Sequence, residues 1–394
     1  MNDKIFKKPK IKILGIGGGG CNFQEHMISV IGNKLEDECF IAMNTDQQSL
    51  ESSKAHIKIQ LGPNGLGAGA NPAIGREYAE YSENQIRELF EDCDLAIIFS
   101  ALGGGTGSGC GPVVARIARE MNVLVFGIVT KPFEFEGRVR KKVAEEAIEE
   151  FKKYADVTVI VSNQLLFKIT NQYTTFREAF KIIDNMCASF VGSILDIFRT
   201  NGLINVDFAD IEATIKQKGL GLIGVGYADG EEAASEAAMK ALGNPLLENV
   251  TMNSASNALV HISGNDISLI EVEEIMKKIH NELGDNVNII HGMNIGEKGK
   301  FDSNSFVYPV MDSFQDNISV ADSVEGPKKW VRVMIIVTGL SQDESEKILN
   351  DDFGKHKIKN ILSNNLTETI NEEKKEEKPK SNLFSLLQKL KGNK

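Results

Sequence analysis

The sequence predicts an α/β fold class: a parallel-sheet domain, a connecting helix and a smaller α+β C-terminal domain. Three observations predict it. Short apolar runs alternate with amphipathic stretches over residues 11–163, the pattern of strands and crossover helices in a parallel sheet. Apolar residues then recur every three or four positions from Phe176 through Phe180, Ile183, Met186, Phe190 and Ile194 to Ile197, so residues 175–199 read as one long buried helix. Beyond it, three or four strand-like runs are interleaved with helical ones before the chain turns polar.

The first-domain strands are IKILGIG (11–17), CFIAMNT (39–45), LAIIFSA (95–101), VLVFGIVT (123–130) and VTVIVSN (157–163). Each ends in small or polar residues, which marks one edge of the sheet as the ligand edge, because open α/β sheets bind at the carboxyl ends of their strands. After the long helix come a short helix (207–218), the run LIGVGYA, an alanine-rich helix (231–242), ALVHIS, a helix over 268–283, NVNIIHGM and VRVMIIVTG. Residues 343–380, rich in Asp, Glu, Lys and Asn, have the composition of a solvated linker. The last residues, LFSLLQKLKGNK, carry Leu383, Leu387 and Leu390 at helical spacing with Lys389 and Lys391 beside them.

With 394 residues, 42% apolar and 25% charged, the chain suffices for two cores. Its start, MNDKIFKKPK, has no secretory apolar run and no later stretch reaches about 18 apolar residues, so a cytoplasmic protein is expected. Five cysteines without a CxxC pair or a His cluster indicate neither a zinc site nor a disulfide framework. A net charge of −11 argues against a nucleic-acid partner, but not against a nucleotide, which backbone amides hold without a basic surface.

Two loops carry chemistry. GIGGGGCN (15–22) follows the first strand, and its glycines let backbone N–H groups approach phosphate oxygens at the start of a helix. Alone it fits three readings: a dinucleotide fingerprint with Glu36 or Asp37 about 20 residues on, a structural turn, or a phosphate loop. LGGGTGSGCGP (102–112) is a second glycine-rich loop on the same edge, which a dinucleotide fold does not need and a triphosphate gripped from two sides does. Its Pro112 is expected in the first turn of the helix VVARIAREM. No GxxxxGK[ST] occurs, so no P-loop lysine is available.

GGGTGSG resembles the signature of the tubulin/FtsZ family. So do GIGGGGCN, MNTD (43–46), IQLG with GLGAGANP (59–72), VTKPFEFEGR (129–138) and GLINVDFAD (202–210), in family order over the first 340 residues. The resemblance implies a GTPase that binds GTP/GDP with Mg²⁺, polymerises head to tail with itself and builds the bacterial division ring. It implies that Gly18, Gly19, Gly20, Cys21 and Asn22, with Gly104, Gly105, Thr106 and Gly107, hold the phosphates. Glu136 and Arg140 reach ribose and phosphates, Phe180 packs on guanine, Asp184 accepts from its N1–H and 2-amino group, and Asn163 is a further base contact. Read without the family, Glu136 and Arg140 are a surface ion pair, Phe180 is a core residue, and NVDFAD is a helix cap. With it, Asn205, Asp207 and Asp210 enter the neighbouring subunit's pocket, where the two acids orient the attacking water and Asn205 shapes the loop.

The organisation so expected is an N-terminal extension (1–10), GTP-binding domain (11–171), central helix (172–200), C-terminal activation domain (201–340), linker (341–381) and binding tail (382–394). The tail would take membrane-tethering and division-regulating proteins, without membrane insertion, at mid-cell. Three features depart from the family pattern: Gln164 stands where an Asp is usual, residues 297–329 form an extra segment, and the tail lacks the usual partner peptide. A regulatory GTP-binding relative with little hydrolysis, and a DNA-segregating plasmid or phage tubulin, are the rival readings.

Overall fold

In the computed structural model, residues 8–31, 39–199, 202–216, 219–244, 252–296, 329–341, 345–346 and 348 are described. The extra segment up to residue 328, the tail and nearly all of the linker lie outside them. The first half runs β1 (Ile11–Ile16), α1 (Gly17–Ile31), β2 (Cys39–Asn44), α2 (Gln47–Ser52), β3 (Ile57–Gln60), α3 (Pro72–Tyr81), α4 (Glu83–Phe90), β4 (Leu95–Ala101), α5 (Gly105–Glu120), β5 (Leu124–Lys131), α6 (Arg138–Lys152) and β6 (Val157–Ser162). A short α7 (Leu166–Ile169) leads to α8 (Phe176–Arg199), and α9 (Phe208–Ile215), β7 (Leu220–Asp229), α10 (Ala233–Leu242), β8 (Asn257–Asn265), α11 (Leu269–Leu283), β9 (Asn288–Gly296) and β10 (Trp330–Thr338) follow.

Among the described residues these strands form one sheet of order β3-β2-β1-β4-β5-β6-β7-β10-β8-β9. The first six are parallel, in the 3-2-1-4-5-6 order whose direction of winding reverses between β1 and β4. β10 runs antiparallel to β7 and β8, which makes the second half a mixed sheet. The halves meet at a short parallel pairing, Thr158 with Leu220 and Val159 with Gly221. The central strands are buried on both faces, as continuous Val/Ile/Leu runs require: β4, β5, β6 and β10 are mainly apolar and shielded from solvent, and β8 is buried as well although it carries Asn257, His261, Ser263 and Asn265.

Local chemistry places the ends. Ser268 caps α11, its hydroxyl accepting from the Glu271 amide while Glu271 reaches back to the Ser268 N–H, a reciprocal capping box. Pro72 sits in the first turn of α3 behind the cap Asn71. Two expectations are corrected. β3 was not anticipated, because IKIQ is too short and too polar to stand out from its flanks. Pro112 lies inside α5 rather than in its first turn, since the helix starts at Gly105 and the glycines themselves take helical conformation. Those glycines are held by contact: a Cβ on Gly109 would lie 2.2 Å from the Pro72 carbonyl oxygen, and one on Gly75 would lie 2.3 Å from that of Gly105. The close α3–α5 crossing therefore replaces the propensity the glycines lack.

Among the described residues no helix is long and apolar enough to cross a membrane.

Candidate functional site

At the carboxyl ends of β1 and β4, where the winding reverses, opens a cavity of about 640 Å³. Its floor is built by the two glycine loops. α1 begins directly at Gly17, which has φ of +72°, a left-handed conformation that suits glycine, so the N–H groups of the next residues are unpaired helix-start donors. α5 begins at Gly105 behind Gly104, with no side chain capping it. Two helix N-termini thus aim free donors and positive dipole ends at one space, the arrangement that holds phosphate.

The glycines divide into two kinds. A Cβ on Gly18 or Gly104 would meet nothing within 4 Å, so these backbones face open cavity. A Cβ on Gly19 would lie 2.3 Å from that of Ala101, one on Gly20 2.6 Å from the Phe99 carbonyl oxygen, and one on Gly107 2.1 Å from that of Ala101. The latter three let α1 and α5 sit down on the end of β4. Gln24 completes the seating of α1: wholly buried, its Nε2 donates to the carbonyls of Ile13 (2.7 Å) and Ile41 (3.0 Å). Thr106 and Thr45 share a hydroxyl hydrogen bond of 2.7 Å across the loops.

Of the residues expected at the nucleotide, Gly18, Gly19, Gly20, Asn22, Gly104, Gly105, Thr106, Gly107, Glu136, Arg140, Asn163, Phe180 and Asp184 all line this cavity. Cys21 does not: its thiol is buried against the carbonyls of Gly15 and Met43, and burial pushes it up to about 12. Glu136 and Arg140 do form the ion pair expected without the family, and line the cavity as well. Glu136 also accepts from the Phe133 N–H (2.8 Å), and Arg140 Nε leans on the Gly103 carbonyl (3.4 Å), so both are already positioned. Gln164, the family departure, accepts from the Glu134 N–H (3.3 Å) and so ties the end of β6 to the turn that carries Glu136.

Phe180 packs edge-on to Phe133 (5.9 Å) and to Phe176 (4.9 Å), leaving a face to the cavity. Asp184, one turn on, is largely shielded, and burial raises its carboxyl to about 6, with His26 pulling the other way. Sequence reasoning missed Phe23, Arg177, Lys181 and Cys187, which also line the cavity. For three of them a signal existed: 177, 180, 181, 184 and 187 fall on one stripe of α8 by helical spacing, so choosing Phe180 and Asp184 implied their neighbours.

Asn205, Asp207 and Asp210 lie elsewhere, beyond the far end of α8, whose 24 residues span about 36 Å. None of the three lines the cavity. Asn205 Oδ1 accepts from the Gly202 N–H (2.7 Å), which fixes the loop's turn. Asp207 stands at the N-cap position of α9 yet makes no side-chain capping bond, and both acids are exposed. The capping role expected of an Asp there is thus not taken up, and two carboxylates face outward.

Two family models match the chain: the GTPase domain of the tubulin/FtsZ family over residues 10–171, and the C-terminal domain of the FtsZ family over residues 219–302. A cell division protein FtsZ from a Wolbachia species is 42% identical over 300 residues, covering 72% of this chain and 75% of the relative. The chain belongs to the FtsZ family. A second FtsZ, from Rickettsia bellii, is also 42% identical, over 295 residues that make up 74% of this chain but 64% of that protein. This chain therefore matches just under two thirds of the Rickettsia protein's length. Among solved structures, an empty FtsZ dimer from M. jannaschii superposes with a TM-score of 0.70 at 36% identity, covering 84% of this chain and 89% of that one. CetZ1 from Haloferax volcanii shares the fold at a TM-score of 0.65 and 18% identity.

Proposed function

We propose that this FtsZ-family chain binds GTP in the β1/β4 cavity, polymerises head to tail, and hydrolyses GTP between adjacent subunits as the filament of the bacterial division ring. The observation that carries the reading is the division of labour. The cavity gathers both glycine loops with Glu136, Arg140, Phe180 and Asp184, while the outward-facing acids Asp207 and Asp210 sit beyond the far end of α8. A head-to-tail contact is the symmetry that brings one end of a subunit to the other end of the next.

In this mechanism the free amides of the first turns of α1 and α5 donate to phosphate oxygens, from Gly18 to Asn22 and from Gly104 to Gly107. Arg140 adds charge at the ribose and phosphates beside Glu136. Asp184 accepts from guanine N1–H and the 2-amino group, an edge adenine does not offer, and Phe180 covers the ring, with Asn163 at the base. Asp207 and Asp210 of the neighbouring copy hold and polarise a water. Its oxygen bonds to the γ-phosphorus as the bond to the β–γ bridging oxygen breaks, releasing GDP and phosphate. Asn205 keeps the loop in shape. Among the described residues no group of three or more His, Cys, Asp and Glu side chains is placed to hold a metal ion; a Mg²⁺ ion would be held chiefly by the phosphates of the nucleotide and would share the γ-phosphate charge.

We further propose the division into a GTP-binding domain (11–171), a central helix (172–200) and an activation domain (201–340), with action in the cytoplasm at mid-cell. Tethering and regulatory proteins on the tail belong to the same proposal. Against a non-hydrolysing regulatory relative stands the exposed acidic pair, which such a protein has no need to keep.

Phosphate release from GTP, per protein molecule, tests this across a protein concentration series with Mg²⁺ and with ATP as control. A threshold concentration above which the rate rises, with ATP inert, is expected. A constant rate per molecule overturns the split site, and no hydrolysis at any concentration favours the regulatory reading.

A further inference from the structure

The loop that carries Asn205 and Asp207 leaves α8 and enters α9, and both helices are tied to the same strand. Asp196, three residues before the end of α8, forms an ion pair with Arg332 of β10, both side chains 1% exposed. Arg332 Nε donates in addition to Ser263 Oγ on β8 (3.1 Å). Six residues along β10, Thr338 Oγ1 donates to the Thr214 carbonyl of α9 (2.7 Å). Between these anchors the loop is pinned a third time. Ile204 and Met293 of β9 exchange backbone hydrogen bonds of 3.2 and 2.9 Å, and Val206 packs so tightly on Gly292 that a Cβ there would lie 2.6 Å from it.

Of these ties the ion pair is the one whose chemistry is least economical as mere cohesion. Two ions taken out of water recover their hydration cost only with good geometry, and apolar residues of the same volume commonly hold as well. What a directional pair adds is a single permitted register: an apolar face tolerates sliding and rotation of a helix over a sheet, whereas a guanidinium fixed by Ser263 accepts a carboxylate in one place. Nearby His261 does not compete for the carboxylate, because burial and the Arg332 charge hold its imidazole down to about 3 and neutral. Asp196 lies about three turns along α8 from Asp184, and the cavity end of the helix has its own tie, a 2.7 Å hydrogen bond between His26 of α1 and Asn185, so the register that the ion pair sets bears on the loop end.

We propose that Asp196 and Arg332 are a positioning pair that fixes α8 against β10 and so holds the 202–210 loop in the geometry hydrolysis requires. The proposal rests on the split-site reading above for its link to turnover, though not for its effect on the loop.

The test is the double variant Asp196→Leu/Arg332→Met, which removes both charges at similar volume. If it does not fold, as judged by Trp330 emission, Asp196→Asn/Arg332→Gln carries the same test. Two readouts are taken on the full chain. Amide hydrogen exchange of residues 202–207 is expected to rise at least tenfold with the two glycine loops unchanged. GTP turnover at saturating nucleotide and protein is expected to fall at least tenfold while affinity for a fluorescent GTP analogue stays within twofold. Unchanged exchange in the loop overturns the proposal whether or not the parent protein hydrolyses GTP. Faster loop exchange with parental turnover overturns its link to hydrolysis, and a parent with no turnover at all counts against the split site instead.

Discussion

At the scale of single residues, the two kinds of glycine in the loops separate binding from stability. Gly104 has an extended φ and open space beside it, so Gly104→Ala is expected to leave the fold intact and to place a methyl in the proposed phosphate site. Nucleotide affinity should drop at least tenfold with little change in thermal midpoint. Gly107→Ala instead drives a Cβ to 2.1 Å from the Ala101 oxygen, and should cost about 1–3 kcal/mol of stability by overpacking. Thermal melts and titration with a fluorescent nucleotide, run on both variants, distinguish the two; identical profiles would refute the division. Asp184 gives a pH signature. Its carboxyl is raised to about 6 by burial, so it is ionised and accepting above that pH and protonated below it. In the proposed contact guanine needs Asp184 as an acceptor, so affinity should be flat from pH 7 to 8 and fall about tenfold per unit below pH 6. Asp184→Asn should abolish that slope, and a slope that survives would assign the titration to another group. The glycine runs stood out in the sequence, although GIGGGGCN alone fitted three readings and only the second run on the same sheet edge favoured phosphate. Their division was not legible, since it depends on what lies across from each Cα in three dimensions.

At the scale of elements, α8 and α9 carry the argument. α8 was legible over nearly its whole length, 175–199 against the observed Phe176–Arg199, because its apolar recurrence is long and regular. Its polar stripe was not, because a cavity-lining face reads as exposed surface until something is placed opposite. Arg177 and Lys181 escaped for that reason. α5 shows the reverse failure: seven residues of glycine-rich chain look like loop, and only their packing against α3 and β4 makes them the first turns of a helix. α9 begins at Phe208 with Asp210 in its first turn, exposed and uninvolved in the cap. Asp210→Ala should therefore leave the helix and GTP affinity within twofold of the parent and reduce turnover at least a hundredfold. Phosphate release and nucleotide titration on the same preparation check this, and retained turnover would remove Asp210 from the hydrolytic role.

At the scale of the whole molecule, the sequence suggested two cores, and the described residues place both on one sheet, bridged by α8 and by the β6–β7 pairing. That pairing is short, yet it is reinforced by the Thr158 N–H donating to the Gly219 carbonyl (2.9 Å) and by Val157 lying so close to Gly221 that a Cβ there would clash at 2.4 Å. Such a junction has a thermodynamic consequence. The chain's single tryptophan, Trp330, is buried on β10 and stacks on Tyr227, far along the sheet from the β1/β4 cavity. A ligand that binds only the native state at 100 times its dissociation constant adds about 2.7 kcal/mol to whatever unfolds with its site. If sheet and helix make the two halves one cooperative unit, GTP must raise the Trp330 unfolding midpoint by a few degrees, in step with the circular dichroism transition. If the halves unfold separately, the nucleotide will move the dichroism of the first half and leave Trp330 where it was. Thermal scans with both probes, with and without saturating GDP to avoid turnover, decide between them. A stationary Trp330 would mean that the β6–β7 junction is a contact rather than a coupling, and that α8 alone carries any signal from cavity to loop.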